Sequence, residues 1–195
     1  MENGEKLMTG EESLKIITNM INRTKVNIRN SSFHLLFWGW LVLLCSLSEY
    51  FLWKFTDISS PWYVWFFVIP GTFVSFIYGF TTGRKARFHT YADKIYVWTW
   101  IAFFIAAVVL FIILWDKMEF VSPYILTLAA IPTFLSGFII KFKPLIIGGI
   151  TFWILAIIAR FAGNEVSSLA VPVAMLTGYL IPGYMLRRKV DHETV

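Results

Sequence analysis

Apolar residues run along this chain in long blocks, and nearly all of the charge falls in the gaps between them. A helix that crosses the hydrocarbon of a bilayer takes about 20 mainly apolar residues. Six blocks reach that length, at 33–53, 62–80, 95–115, 123–140, 145–161 and 169–186, the fifth being the shortest. Because the blocks are continuous rather than alternating, they predict helices and not the strands of a membrane barrel. Residues 11–29, ahead of the first block, read as a helix of another kind. Thr9 and Glu12 have capping-box spacing, and Leu14, Ile17, Ile21 and Ile28 share a face that Thr24 interrupts. The predicted fold class is all-α: a cytoplasmic arm with an amphipathic helix (1–32), a six-helix transmembrane domain (33–186) and a short cytoplasmic tail (187–195).

Composition sharpens the choice of solvent. The chain is 57% hydrophobic and 15% charged, whereas a soluble domain carries roughly 25% charged residues. Lipid must therefore cover part of its surface. The net charge of +5 is informative through its placement. Fourteen of the 17 Lys and Arg fall in the arm, the second connection, the fourth connection and the tail. Only Lys54, Lys117 and Arg160 fall on the other side. Short loops with this bias stay in the cytoplasm, so both termini are expected inside, in the bacterial inner membrane. Trp53, Trp62, Tyr63, Trp115 and Tyr124 mark the outer interface, and Trp38, Trp40, Tyr78, Tyr96, Trp98 and Tyr184 lie toward the inner one. Trp153 falls in mid-span and is expected to pack against another helix. No cleavable signal peptide is expected, and Cys45, the single cysteine, reads as an apolar packing residue because Leu44 before it does not suit a lipoprotein box.

Three outer connections share a pattern: Asp57 with Ser60-Pro61, Glu119 with Ser122-Pro123, and Glu165 with Ser168-Leu169. Ser caps helix starts, and Pro at the next position has no amide to lose, so each predicts the start of a descending helix. Two copies match further. Leu52-Trp53 corresponds to Leu114-Trp115, Ile69-Pro70 to Ile131-Pro132, and the segment from Thr72 to Ser75 to that from Thr133 to Ser136. Thr177-Gly178 sits at the corresponding depth in the third copy. The expected plan is three parallel helical hairpins, 33–80, 95–140 and 145–186, with pseudo-threefold character.

Candidate chemistry is sparse. Glu49 and Arg160, near the outer ends of the first and fifth spans, are the intramembrane charges. They are open to three readings: pairing with each other, snorkelling to water, or gating a polar cavity. Pro70 and Pro132 are expected to bend their helices and free the carbonyls of Phe66 and Leu128. Thr72, Ser75, Thr133, Ser136 and Thr177 nearby either serve close helix packing or line a polar path. On the inner side Lys15, Arg23, Lys25 and Arg29, with Arg84, Lys85 and Arg87 in the second connection, are candidates for anionic lipid headgroups, a protein partner or a second copy of the chain. No DNA-binding motif accompanies them, so no nucleic-acid partner is expected. His34, His89 and His192 lack metal-ligand spacing, and no nucleophile elbow, zinc-protease motif or phosphate loop occurs. Hence no catalytic residue, metal or cofactor is expected.

Glu12-Ser-Leu-Lys-Ile16, Phe37-Trp-Gly-Trp-Leu41, the stretch from Lys141 to Ile150 and Ile181-Pro-Gly-Tyr184 together resemble a family of small, uncharacterised polytopic bacterial membrane proteins. The three-hairpin plan is also similar in architecture to HdeD-type acid-stress membrane proteins. Neither resemblance implies an activity or a site residue. Two functions are expected to compete: a non-enzymatic scaffold or regulator that engages lipid or a protein at its inner face, and a small-solute transporter or channel along the Pro-bearing second and fourth helices.

Overall fold

The computed structural model describes residues 10–56, 58, 60–83, 91–118 and 121–192, which are helical apart from short connections. Helix α1 (Gly10–Phe55) is followed by a 3-10 helix (Pro61–Phe67) that leads into α2 (Val68–Gly83). Then come α3 (Tyr91–Ile113), α4 (Val121–Ile139) and α5 (Lys143–Phe161). The last span is built from α6 (Asn164–Met175), a π turn (Leu176–Leu180) and α7 (Ile181–His192). Six helical stretches are long and apolar enough to cross a membrane: Ser32–Phe55, Pro61–Thr81, Lys94–Ile113, Val121–Ile139, Lys143–Phe161 and Glu165–Lys189. Each lies within a few residues of a block legible in the sequence.

The arm expected before the first span is its continuation. α1 has 46 residues, about 69 Å at roughly 1.5 Å per residue, against a hydrocarbon thickness of about 30 Å. The side chains of Lys15, Arg23, Lys25 and Arg29, and the whole of 84–90 with Arg84, Lys85 and Arg87, lie outside the described residues.

Helix starts differ from the expected pattern. Ser60 does stand before the first helical residue, Pro61, but makes no side-chain cap bond. α4 begins at Val121, so Ser122 and Pro123 sit inside its first turn. That position costs nothing, because the first four amides of a helix have no intrahelical acceptor. α6 begins earlier still, at Asn164. Its N-cap is Gly163 at φ +83°, a conformation that glycine adopts without strain, and Ser167 N–H donates to the Gly163 carbonyl at 2.9 Å. Glu165, expected in a loop, therefore lies in the first turn of α6, where a negative charge suits the helix dipole. It also meets Lys54 Nζ at 3.3 Å across the end of α1.

The core belongs to α1, α4, α5 and the last span. Only 6% of the second and of the third span is buried, against 61% of the last. α4 and α5 form the most extensive pair, the last span packs on both α1 and α5, α2 leans on α1, and α3 leans on α4. Glycines set the spacing. A Cβ on Gly149 would stand 2.8 Å from the Phe134 amide nitrogen, one on Gly137 2.7 Å from that of Ile146, and one on Gly148 2.8 Å from the Gly178 Cα. Helices in lipid gain from this close approach because apolar burial between them is not a driving force there. α4 ends in a Schellman turn: Phe142 N–H donates to the Gly137 carbonyl at 2.8 Å and Lys141 N–H to that of Phe138 at 3.2 Å. The residue in the left-handed position is Lys141, at φ 53°, where glycine is usual.

Candidate intramembrane binding site

Since α2 leans on α1 and α3 on α4, a gap remains between α2 and α3. It opens into a cavity of about 610 Å³. Its walls come from the N-terminal part of the first span (His34, Trp38), the C-terminal part of the second (Thr72, Ser75, Phe80) and the N-terminal part of the third (Tyr96, Trp100, Phe104). Tyr179 of the last span forms the inner wall. Because neighbouring spans run antiparallel, all three stretches fall in the same half of the bundle, the half nearer the α2–α3 connection. Ligand pockets are typically about 300–1,000 Å³ and mostly apolar with a few placed polar groups. This cavity fits that description.

Most of its polar groups are tied to the scaffold. The Trp38 indole donates to Ser75 Oγ at 3.2 Å, and Ser75 Oγ lies 3.1 Å from His34 Nδ1. The Trp100 indole donates to Ser136 Oγ at 3.2 Å. Thr133 Oγ1 lies 2.7 Å from the Ala129 carbonyl and 3.2 Å from the Tyr179 hydroxyl. Thr133 has one proton, and once it is committed to Ala129 the phenol donates to Thr133. Tyr179 reaches this wall from the π turn, which follows Pro172 inside α6. A π turn adds one residue to a helical turn and turns side chains that an α-helix would point elsewhere. Among the described residues, no buried side-chain nitrogen or oxygen lacks a hydrogen-bond partner.

The sequence-derived candidates are dispersed. Thr72 and Ser75 line the cavity. Thr133 and Ser136 are buried in α4, with Pro132 beside them. Pro70 is exposed in the first turn of α2, just after the 3-10 helix ends. Thr72, Thr133 and Thr177 each donate to the carbonyl four residues back, those of Val68, Ala129 and Val173, at 2.8, 2.7 and 2.9 Å. These hydroxyl protons are committed to carbonyls of their own helices. Glu49 is at the opposite end of the bundle, where its carboxylate accepts the Trp65 indole at 2.8 Å. Arg160 is exposed at the end of α5, over the Phe161 ring. Trp153 packs on Phe134, ring centroids 5.5 Å apart, as a mid-span tryptophan should.

Sequence reasoning missed His34, Trp38, Trp100 and Tyr179 as one group. A signal existed for the tryptophans. The offset from Trp38 to Trp100 equals that from Trp53 to Trp115, which already marked the first two hairpins as similar. Tyr179 gave no signal, because its orientation depends on the π turn. No family model, curated protein or solved structure matches this chain, so the cavity has to be read from its own chemistry.

Proposed function

We propose that this protein is a non-enzymatic scaffold or regulator of the bacterial cytoplasmic membrane that engages lipid through a laterally open cavity. The carrying observation is the aromatic cavity between α1, α2 and α3, set beside a core whose polar groups are internally paired. A molecule enters it from the bilayer, through the gap between α2 and α3. Both termini face the cytoplasm, following the lysine and arginine bias. The cavity then lies in the cytoplasmic leaflet, on the same side as Arg84, Lys85 and Arg87 and the basic arm with Lys15, Arg23, Lys25 and Arg29, which engage anionic headgroups or a protein partner. Three hairpin repeats account for the shared loop pattern. The twin bonds from Trp38 to Ser75 and from Trp100 to Ser136 support kinship of the first two.

Gly79 offers a direct test. It lines the cavity, and a Cβ there would meet nothing within 4 Å. Gly79→Phe should fill the cavity and leave the fold intact. Native mass spectrometry of the purified chain should find a bilayer-derived amphiphile on the wild type and markedly less on Gly79→Phe. Equal retention by both would remove the cavity from the proposal. The transport reading, with a path along Pro70 and Pro132, would prevail if proteoliposomes showed solute flux that Gly79→Phe blocked.

A further inference from the structure

We infer that the occupant of this cavity is a planar, uncharged ring carrying carbonyl or hydroxyl oxygens on a hydrocarbon tail, the chemistry of the membrane quinones, held at its oxygen by His34. The inference rests on the proposal that the cavity takes an amphiphile from the bilayer, and it names the class of that amphiphile. Three features select it.

The first is charge. Among the described residues, no Asp, Glu, Lys or Arg is one of the fourteen that line the cavity. An ionic head placed inside would lose its hydration with no opposite charge in return, so the buried part of the ligand is neutral. The second is wall shape. Seven of the fourteen lining residues are Phe, Trp or Tyr. Trp38 meets Phe104 with ring centroids 5.6 Å apart, and Trp100 meets Tyr179 at 6.4 Å. Aromatic walls reward a flat ring, which stacks on them or meets their edges, beyond what the same area gives a flexible acyl chain.

The third feature is the hydrogen-bonding capacity of His34. Its Nδ1 is engaged with Ser75, whose oxygen also accepts the Trp38 indole. That leaves Nε2 for the ligand, and the Ser75 contact allows either tautomer. When Ser75 donates to Nδ1, Nε2 carries the proton and donates to a carbonyl. When Nδ1 carries the proton, Nε2 accepts from a hydroxyl. One neutral imidazole can thus hold the oxidised or the reduced form of a quinone with no change in net charge. The gap between α2 and α3 lets the tail remain in lipid.

The test uses the full chain in phosphatidylcholine nanodiscs with decylubiquinone as probe, read by quenching of tryptophan fluorescence. The wild type should show saturable quenching, with Trp38→Phe and Trp100→Phe each removing part of the signal. His34→Ala should weaken binding about tenfold, the size of one lost hydrogen bond to a ligand. His34→Gln, whose amide can donate or accept, should recover most of it. Circular dichroism and gel filtration establish that each variant is folded. Gly79→Phe provides a blocked cavity independent of His34. Quenching that is unsaturable, or equal in wild type, His34→Ala and Gly79→Phe, reports partition into the bilayer and overturns the inference. Saturable binding of dioleoylglycerol without decylubiquinone binding also overturns it, but leaves the lipid-engaging cavity standing. Binding of neither, with no co-purifying amphiphile, removes both.

Discussion

Gly148 and Gly79 are both helical glycines, but they stand in opposite surroundings. A methyl group on Gly148 would press on the backbone of Gly178, 2.8 Å from its Cα and 3.0 Å from its carbonyl oxygen. Backbone cannot step aside as a flexible side chain can. Gly148→Ala should therefore cost about 1–3 kcal/mol, the usual range for overpacking. Gly79→Ala should be neutral or slightly stabilising, since alanine favours helix by up to about 1 kcal/mol and has room there. Thermal unfolding in detergent compares the two. Lys141 makes the opposite case. Its left-handed conformation strains an L residue by roughly 1–2 kcal/mol, and glycine relieves that at some cost in chain entropy. Lys141→Gly should thus raise the unfolding midpoint, and a fall would show that the lysine side chain holds something the backbone geometry does not reveal.

At the scale of elements, the six spans were legible because lipid demands long apolar runs, and that demand is local in sequence. Their exact beginnings were not. Ser60-Pro61 stands at its helix start as expected, but Ser122-Pro123 lies inside a first turn, since proline is tolerated anywhere among the unpaired amides. The irregularity of the last span was not read from the sequence, although Pro172 lies inside α6 just ahead of the π turn and removes a backbone donor there. A π turn holds one residue more than an α-helical register needs. Deleting Thr177, which lies in that turn and bonds only locally through its hydroxyl in the contacts observed, should restore an α-helix and leave a monodisperse protein. Deleting Thr151 from the regular α5 should misalign Phe152 and Ala156 in the core and abolish folded yield. Gel filtration of the solubilised variants decides between these outcomes.

For the molecule as a whole, orientation and cavity have different origins. Orientation is a property of charge counts, and it can be tested with Cys45→Ala as background. A cysteine at Lys117 should react with an impermeant maleimide added to spheroplasts, and one at Lys141 only after permeabilisation. The reverse pattern would invert the topology and place the cavity in the other leaflet. The cavity was not legible, because it exists through helix order. α1 packs on the last span, α4 and α5 close the core, and α2 and α3 are left on the flanks. No local pattern around His34, Ser75 or Trp100 records which helices become neighbours. That helix order also bears on biosynthesis. The face of α1 that holds Ser32, Leu35 and Gly39 finds its partners in Tyr179, Leu180 and Gly183, which leave the ribosome far later, as in the bond from Ser32 to Gly183, separated by 151 positions. The span Ser32–Phe55 must wait in the translocon or in lipid, incompletely packed, until Glu165–Lys189 arrives beside it.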